Sequence, residues 1–130
     1  MIMALKDKKQ IQKNRHFFQS LKHAVDGILH VLKVERNFKI DIIVSIIVII
    51  VSFYYKISHA EWLWVIFSIF SVIIAEVANT SIETVVDLAA DFKYHDYAKY
   101  AKDTAAGFVV LTAMMAVIIG AIIFIPKFIN

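Results

Sequence analysis

The sequence predicts an all-α integral membrane protein, in which one amphipathic surface helix precedes three transmembrane helices. Hydrophobic residues make up 60% of the 130-residue chain, and the helix-interrupting residues glycine and proline number only three and one. A soluble domain of this size does not carry so much continuous apolar sequence. The chain contains no cysteine, which excludes a disulfide framework and any cysteine-based metal site or nucleophile.

The amphipathic helix is predicted over residues 15–34, where apolar side chains recur every three or four positions. The apolar positions are Phe17, Phe18, Leu21, Ala24, Val25, Ile28, Val31 and Leu32. This pattern is typical of a helix that lies in the membrane interface. Nine of the fourteen Lys and Arg residues lie within residues 1–39, which favours an anionic membrane face over nucleic acid as the partner.

Apolar runs predict three transmembrane helices, over residues 36–55, 62–86 and 105–125. The apolar part of the first run, 40–55, is short for a bilayer, so we expect this helix to begin earlier. The second helix begins at an interfacial tryptophan pair, and the third is expected to stop at Pro126. Because no internal repeat, low-complexity segment or Gly/Ser linker divides the sequence, the whole chain is predicted to form one domain.

The charges in the loops predict the orientation of the chain. The loop at 88–104 carries three lysines and the N-terminal segment carries nine basic residues, whereas the hairpin at 56–61 carries one lysine. By the positive-inside rule, the N-terminus and the 88–104 loop lie in the cytoplasm. The hairpin and the C-terminus then lie outside.

Four polar residues interrupt the second apolar run on one side of the predicted helix. These residues, the polar stripe, are Glu76, Asn79, Glu83 and Asp87. At about 100° per residue, Glu76 and Glu83 differ by only about 20° in direction, and the stripe rises about 16 Å along the axis. A carboxylate deep in a membrane span costs about 3 kcal/mol even on a lenient insertion scale. The polar stripe therefore needs a metal ion, a proton path or cations from other helices.

Two acids of the stripe are candidates for chemistry. Glu76, the deepest acid, is a candidate general base near neutral pH, and the alternative is a protonated side chain that hydrogen-bonds to a neighbouring helix. Glu83 lies two turns closer to the cytoplasm, where it can hold Mg²⁺ together with a second carboxylate. We expect Glu35, at the membrane surface, to be this second ligand. The alternative for Glu35 is a solvated ion pair with Lys39.

The other two residues of the stripe leave their roles open. Asn79 either bonds across helices or orients a substrate. Asp87 lies close to the water interface, where a solvated helix end explains it as well as a role in the site does. The loop that follows adds Lys102, a cation that can meet phosphate, and Asp103, an acid that can bind ribose hydroxyls or a metal. This pair suits a nucleotide site.

The same loop contains an aromatic residue and a histidine. Tyr94 and His95 offer an aromatic surface and a titratable donor, although on spacing alone most such residues are interfacial anchors. The sequence contains no Walker A loop, Gly-rich kinase loop, HExxH or GxSxG motif. A nucleotide would therefore be held by carboxylates, a metal and lysine rather than by a standard phosphate cradle.

Three blocks of the sequence resemble the prokaryotic integral-membrane diacylglycerol kinases. From Glu76 to Asp87, the polar stripe matches the family signature E-x-x-N-[ST]-[AS]-I-E-x-x-V-D. Two flanking family elements, Y-H-x(6)-K-D and G-x(7)-E-x-x-F, are matched by Tyr94, His95, Lys102 and Asp103 and by Gly27, Glu35 and Phe38. The blocks occur in family order over residues 20–126. The apolar C-terminal end is more similar to the branch that phosphorylates undecaprenol than to the diacylglycerol branch.

The resemblance implies a Mg²⁺- and ATP-dependent lipid kinase of the bacterial plasma membrane, working as a homotrimer with active sites between subunits. It implies that Glu76 is the catalytic base, that Asn79 orders the site beside it and that Phe38 lines the lipid entry. It also implies that Glu35 and Glu83 hold Mg²⁺ with the ATP phosphates. The residues implied to contact ATP directly are Tyr94, His95, Lys102 and Asp103.

Some positions depart from the family pattern. Val77 and Ala78 replace a bulkier leucine pair, and Ser81 stands where alanine is common; both changes can loosen helix packing. Ala106 stands where some members have serine, which removes a hydroxyl contact. None of these changes removes a charged group.

Two interpretations from other classes of protein remain open on sequence alone. A small proton-coupled transporter or channel subunit explains an intramembrane acid such as Glu76, but not the further polar residues that approach the cytoplasm. A structural protein that binds anionic lipid explains the basic residues 1–39, but nothing in the second span. ATP consumption that requires a lipid distinguishes the kinase from both.

Overall fold

The computed structural model describes residues 17–129, and four helices account for most of them. In chain order they are α1 (Phe17–Val34), α2 (Arg36–Tyr54), α3 (His59–Ala89) and α4 (Asp96–Ile129). This part of the chain contains no β-strand, which confirms the predicted all-α class. Positions 15 and 16, where the surface helix was expected to begin, lie outside the described residues.

Helix α1 belongs to a compact unit that ends at Val34, separate from the unit that begins at Glu35. It is continuous over 18 residues, so its apolar side chains do recur at helical spacing, as an amphipathic helix requires. Large apolar side chains along α1, among them Phe17, Phe18 and Leu21, are exposed. Its location in the membrane interface stays a prediction.

Helices α2, α3 and α4 are each long and apolar enough to cross a membrane, by length and composition. They contain 19, 31 and 34 residues. At about 1.5 Å per residue, the two longer helices exceed the roughly 30 Å hydrocarbon core of a bilayer. Many of their large apolar side chains are exposed in the single chain, as expected of surfaces that face lipid or other membrane helices. The chain is a membrane protein.

The two longer helices extend beyond the predicted spans. Helix α3 begins at His59 and continues to Ala89, three residues past each predicted limit. Helix α4 begins at Asp96, so the loop predicted at 88–104 is reduced to a short connection. The extra turns lie in polar sequence, where hydropathy marks the membrane span but does not mark the end of the helix.

The helix of the third span does not end at Pro126, where the span itself was predicted to stop. Helix α4 continues through Pro126 to Ile129. A proline removes one backbone donor and crowds the preceding turn. Pro126 lies in the last turns of α4, so the lost hydrogen bond affects only the end of the helix.

One end of the α2–α3–α4 unit is held together by apolar packing, by an ion pair and by a capping box. The apolar core at this end consists of Ile57, Val65, Ile123 and Phe124. Lys127 Nζ lies 2.9 Å from Glu61 Oε1, which links the end of α4 to the start of α3. Ser58 and Glu61 form a capping box: the Glu61 N–H donates to Ser58 Oγ at 3.2 Å, and the Ser58 N–H donates to Glu61 Oε2 at 2.7 Å. These contacts fix where α3 begins.

We expect Ser58→Ala to lower the free energy of unfolding by about 1 kcal/mol, because it removes one half of the capping box. Ser71→Ala is the matched control, since Ser71 Oγ donates to the Phe67 carbonyl inside the same helix and caps no terminus. Reversible unfolding in detergent micelles measures both variants against the wild type. Equal stability of the two variants would contradict the assigned role of the cap.

Candidate active site

The polar stripe of α3 keeps its predicted alignment in the structure. Asn79 Nδ2 donates to Glu83 Oε1 at 3.2 Å, so these two side chains lie on the same face. Glu76, one turn before Asn79, is only 4% exposed. Asp87, one turn after Glu83, is partly buried. The stripe therefore leads from a buried acid to the end of the helix.

Glu76 lies among other acids of the same unit. It interacts electrostatically with Asp41, Glu35 and Glu83. Glu35 is the N-cap residue of α2, and its side chain makes no capping hydrogen bond, so the helix terminus does not occupy its carboxylate. The structure thus places three acids predicted from the sequence, Glu35, Glu76 and Glu83, close enough for Glu76 to interact electrostatically with the other two.

Asp41 is the acid of this group that sequence reasoning missed. It lies in the first turns of α2 and is partly buried. It borders a cavity of about 310 Å³ between α2, α3 and α4, whose other lining residues are apolar or small. The sequence did contain a signal for Asp41, namely a charged residue inside an apolar run, which is the signal that identified Glu76. Charged residues are common near the start of a membrane span, so Asp41 did not stand out as a candidate site residue.

Phe38 lies three residues after Glu35 in α2, and its side chain is 2% exposed. A ring buried to this extent helps to fix the first two turns of α2, which follow Glu35 and include Asp41. That Phe38 also lines a lipid entry stays a prediction.

The four residues expected to contact ATP line a single surface cleft beyond the end of α3. The cleft has a volume of about 440 Å³. Its lining includes Tyr94, His95, Lys102 and Asp103. Asp87, the last residue of the polar stripe, lines the same cleft, so the stripe leads directly into it.

Inside the cleft, the first turns of α4 contact the end of α3. Lys102 Nζ lies 3.0 Å from Asp87 Oδ1 and 3.2 Å from Asp87 Oδ2. Lys102 also interacts electrostatically with Glu83. The sequence left Asp87 between a solvated helix end and a role in the site; the structure puts its carboxylate in direct contact with a candidate site lysine.

The remaining cleft residues also have local partners. Tyr94 Oη donates to Asp96 Oδ1 at 2.9 Å, and the Tyr97 N–H donates to His95 Nδ1 at 3.2 Å. The His95 and Tyr97 rings stack with their centroids 5.7 Å apart. These contacts shape the start of α4, so Tyr94 and His95 have a structural role besides the predicted nucleotide contact. Asp103 forms a longer, exposed ion pair with a lysine one turn earlier, at 3.5 Å.

Asn79 carries an unsatisfied acceptor. In the part of the chain that the structure describes, Asn79 Oδ1 is the buried side-chain polar atom that has no hydrogen-bond partner. The Asn79 amide nitrogen is already engaged by Glu83. A buried carbonyl without a partner is unfavourable, and such an oxygen is suited to accept a hydrogen bond from a substrate or to coordinate a cation.

The oxygen donors near the stripe fit Mg²⁺ only if phosphate oxygens and water complete its coordination. Within residues 17–129, no three His, Asp or Glu side chains lie close enough together to hold a metal ion by themselves. In phosphate-transferring sites, however, Mg²⁺ is bound by one or two carboxylates together with phosphate oxygens and water. Glu35, Glu83 and Asn79 Oδ1 offer only oxygen, the donor that Mg²⁺ prefers. The chemistry of these donors fits a metal that arrives with a nucleotide.

Comparison with known proteins establishes the family. A family model described as prokaryotic diacylglycerol kinase matches residues 22–124. The match includes every residue of the candidate site and most of the three apolar helices. The chain belongs to the prokaryotic diacylglycerol kinase family, a family of membrane-integral lipid kinases.

Curated relatives agree with this assignment. An undecaprenol kinase of Bacillus subtilis is 41% identical over 111 residues, which cover 85% of this chain and 89% of the relative. A diacylglycerol kinase of a Synechocystis species is 34% identical over 131 residues, covering 95% of this chain and 73% of the relative. A diacylglycerol kinase of Helicobacter pylori is 29% identical over 92 residues, or 71% of each chain. The relatives thus include both branches considered from the sequence.

We expect Asn79→Ala to change the free energy of unfolding by less than about 1 kcal/mol, because the lost bond to Glu83 is offset by removal of an unsatisfied buried carbonyl. Asn37→Ala, at an exposed position of α2, controls for the same chemical change away from the stripe. Thermal unfolding in detergent micelles compares the two variants. A loss above about 2 kcal/mol at Asn79 would mean that this amide serves packing rather than a ligand.

Proposed function

We propose that the chain is an ATP-dependent kinase that phosphorylates the primary hydroxyl of a membrane lipid alcohol, with undecaprenol preferred over diacylglycerol. The observation that carries this proposal is the continuity of the polar stripe, from buried Glu76 to the cleft at Asp87 and Lys102. A lipid hydroxyl can approach Glu76 at one end of the stripe, while a nucleotide in the cleft at the other end enters from water and extends its phosphates along the stripe toward Glu76. The relative that is 41% identical and named undecaprenol kinase supports the choice of lipid.

Glu76 is the proposed general base. Its carboxylate takes the proton of the lipid hydroxyl while the hydroxyl oxygen attacks the γ-phosphorus of ATP. The bond between the γ-phosphorus and the bridging oxygen breaks, and ADP leaves with the bonding electron pair. Asn79 orders the site beside the base through its bond to Glu83 and its unpartnered carbonyl oxygen. Phe38, at the start of α2, is proposed to line the path of the lipid.

The nucleotide is proposed to occupy the cleft beyond α3. Glu35 and Glu83, which lie outside the cleft lining, would hold Mg²⁺ with the ATP phosphates, and the ion would neutralise phosphate charge when bound. The chain's own contacts to ATP would come from Tyr94, His95, Lys102 and Asp103. Phosphoryl transfer requires mainly positioning and charge stabilisation, which carboxylates and a lysine on adjoining helix ends can provide without a glycine-rich loop.

The chain is proposed to lie in the bacterial plasma membrane with its N-terminus in the cytoplasm. The uneven placement of basic residues supports this orientation, with nine of fourteen in residues 1–39. The orientation puts the cleft on the side of the membrane where ATP is present.

A homotrimer with active sites between subunits is proposed from the family resemblance. Two glycines of α4 support an oligomer, because a Cβ at Gly107 or Gly120 would meet no atom within 4 Å in its own chain. The fold of the single chain therefore does not require glycine at these positions. Small residues in membrane helices are typical of contacts between helices, and other subunits can supply these contacts.

The test of the proposed function is transfer of radiolabelled phosphate from Mg-ATP by purified protein in mixed micelles. Undecaprenol and diacylglycerol are compared side by side, and we expect faster transfer to undecaprenol. Preference for diacylglycerol would overturn only the lipid assignment. Label in neither lipid, with the protein folded, would overturn the kinase proposal, and proton flux in vesicles without ATP would then favour transport.

We expect Glu76→Gln to lower turnover by about 10²–10⁴-fold, since it removes the base while keeping the size of the side chain. Affinity for ATP should stay near the wild-type value, because the cleft lies at the other end of the stripe. Glu61→Gln, the same change at the closed end of the unit, should leave turnover unchanged. Radiolabel transfer and equilibrium ATP binding measure the two effects. Weak ATP binding by Glu76→Gln would count against its assignment as the base.

We expect Glu83→Gln to raise the Mg²⁺ concentration needed for half-maximal transfer, because an amide is a weaker ligand than a carboxylate. Glutamine can still accept the hydrogen bond from Asn79, so the stripe should keep its alignment. Mg²⁺ titrations of the transfer rate compare this variant with the wild type. An unchanged titration would remove Glu83 from the proposed metal site.

A further inference from the structure

The ion pair between Asp87 and Lys102 joins two residues of which only one has a role in the proposed reaction. Lys102 is a candidate phosphate contact, whereas Asp87 has no part in acid–base chemistry or in the proposed metal site. We propose that Asp87 is a positioning residue, which holds the Lys102 ammonium in the direction needed to meet the phosphates of the bound nucleotide. This inference rests on the proposed kinase function and adds a role to it.

The geometry of the pair leaves Lys102 free to bind a further group. The two Asp87 carboxylate oxygens lie 3.0 and 3.2 Å from Nζ. A lysine ammonium has three N–H donors, so two can point to Asp87 while the third stays available to a phosphate oxygen. The side chains are 36% and 41% exposed, which leaves the ammonium accessible from the cleft.

The connection between α3 and α4 is built on Asp87 as well. The Phe92 N–H donates to the Asp87 carbonyl at 2.9 Å. Asp91 and Phe92 adopt φ values of 52° and 55°, in the left-handed region that residues other than glycine rarely occupy. Such a conformation persists where surrounding contacts determine it. The Asp87 backbone carbonyl thus fixes the connection, and the Asp87 carboxylate fixes Lys102.

Lys102 differs from the other lysines of the cleft. The Lys93 and Lys99 side chains are 78% and 57% exposed, and each pairs with an acid that is also mostly exposed. Exposed pairs of this kind constrain side chains weakly. Lys102 is the least exposed of the three, and it is the one that interacts with Glu83 of the stripe. It is therefore the lysine whose position the structure controls.

The negative charge of Asp87 predicts which kinetic constant will change when this residue is replaced. A carboxylate in the cleft repels the triphosphate, so Asp87 does not strengthen ATP binding by its charge. Its benefit must come from the direction in which it holds Lys102, since a long, freely rotating lysine is seldom in the reactive geometry. Removal of Asp87 should therefore lower kcat and leave the KM for ATP unchanged or lower.

The experiment measures kcat and KM for ATP and for the lipid in Asp87→Asn, with Asp91→Asn as the matched control. Asp91 undergoes the same change of charge four residues away, where its lysine partner is mostly exposed. We expect kcat to fall about tenfold or more in Asp87→Asn, because small misplacements of catalytic groups have effects of this size. Asp91→Asn should stay near the wild type. Asp87→Glu, which keeps the charge and can still reach Lys102, should recover part of the loss.

A double-mutant cycle shows whether Asp87 acts through Lys102. In a Lys102→Met background, Asp87→Asn should cost little further activity. If the two residues had independent roles, the fold losses of the two single variants would multiply in the double variant. A purely structural bridge would instead lower the unfolding temperature and raise the KM for both substrates, and this outcome would overturn the proposal. Unchanged kcat in a folded Asp87→Asn variant would overturn it too. Absence of transfer by the wild type would reject the kinase function itself, which is a separate failure.

Discussion

A carboxylate buried in a membrane helix must be compensated, and the arrangement of this chain depends on where α3 buries Glu76. The acid is 4% exposed and lies near three other carboxylates, those of Asp41, Glu35 and Glu83. Like charges in an apolar setting repel one another strongly. This group of acids therefore destabilises the fold, so its presence is not explained by stability. Protons, cations and cationic ligands relieve such a group. The same acids that make the fold costly are those proposed to act as the base and to bind a metal ion.

The two ends of the α2–α3–α4 unit differ in their contacts, and only the second carries the proposed site. At one end, a small apolar core, a capping box and the Lys127–Glu61 ion pair hold the helix ends together. At the other, the polar stripe leads into a cleft bounded by Phe92 of the connection and by Lys102. Because α3 and α4 are anchored at the first end, polar groups at the second can be placed for binding rather than for packing.

The spans and the polar stripe could be predicted because both are local properties of the sequence, one of hydropathy and one of helical period. The true helix limits could not, since Ser58 and Asp96 end up as helix boundaries through caps and contacts that hydropathy does not record. Asp41 was hidden by its place at the start of a span. Asp87 and Lys102 pair across a connection with left-handed backbone at Asp91 and Phe92, and neither of these two residues is a glycine that would signal such a turn. The roles of the site residues rest on the resemblance and on the proposals built from it.

The most direct test of the central claim locates the metal–nucleotide complex along α3. Mn²⁺ replaces Mg²⁺ with ATP, and its paramagnetic broadening of nuclear magnetic resonance signals is measured at the Asn79 side-chain amide and at the Trp62 indole. Trp62 lies 21 residues before Glu83, a distance of about 30 Å along the helix. Strong broadening at Asn79 with little at Trp62 is the predicted result. Equal broadening at both residues, or none at Asn79 while ATP is bound, would contradict the assignment of the polar stripe as the active site.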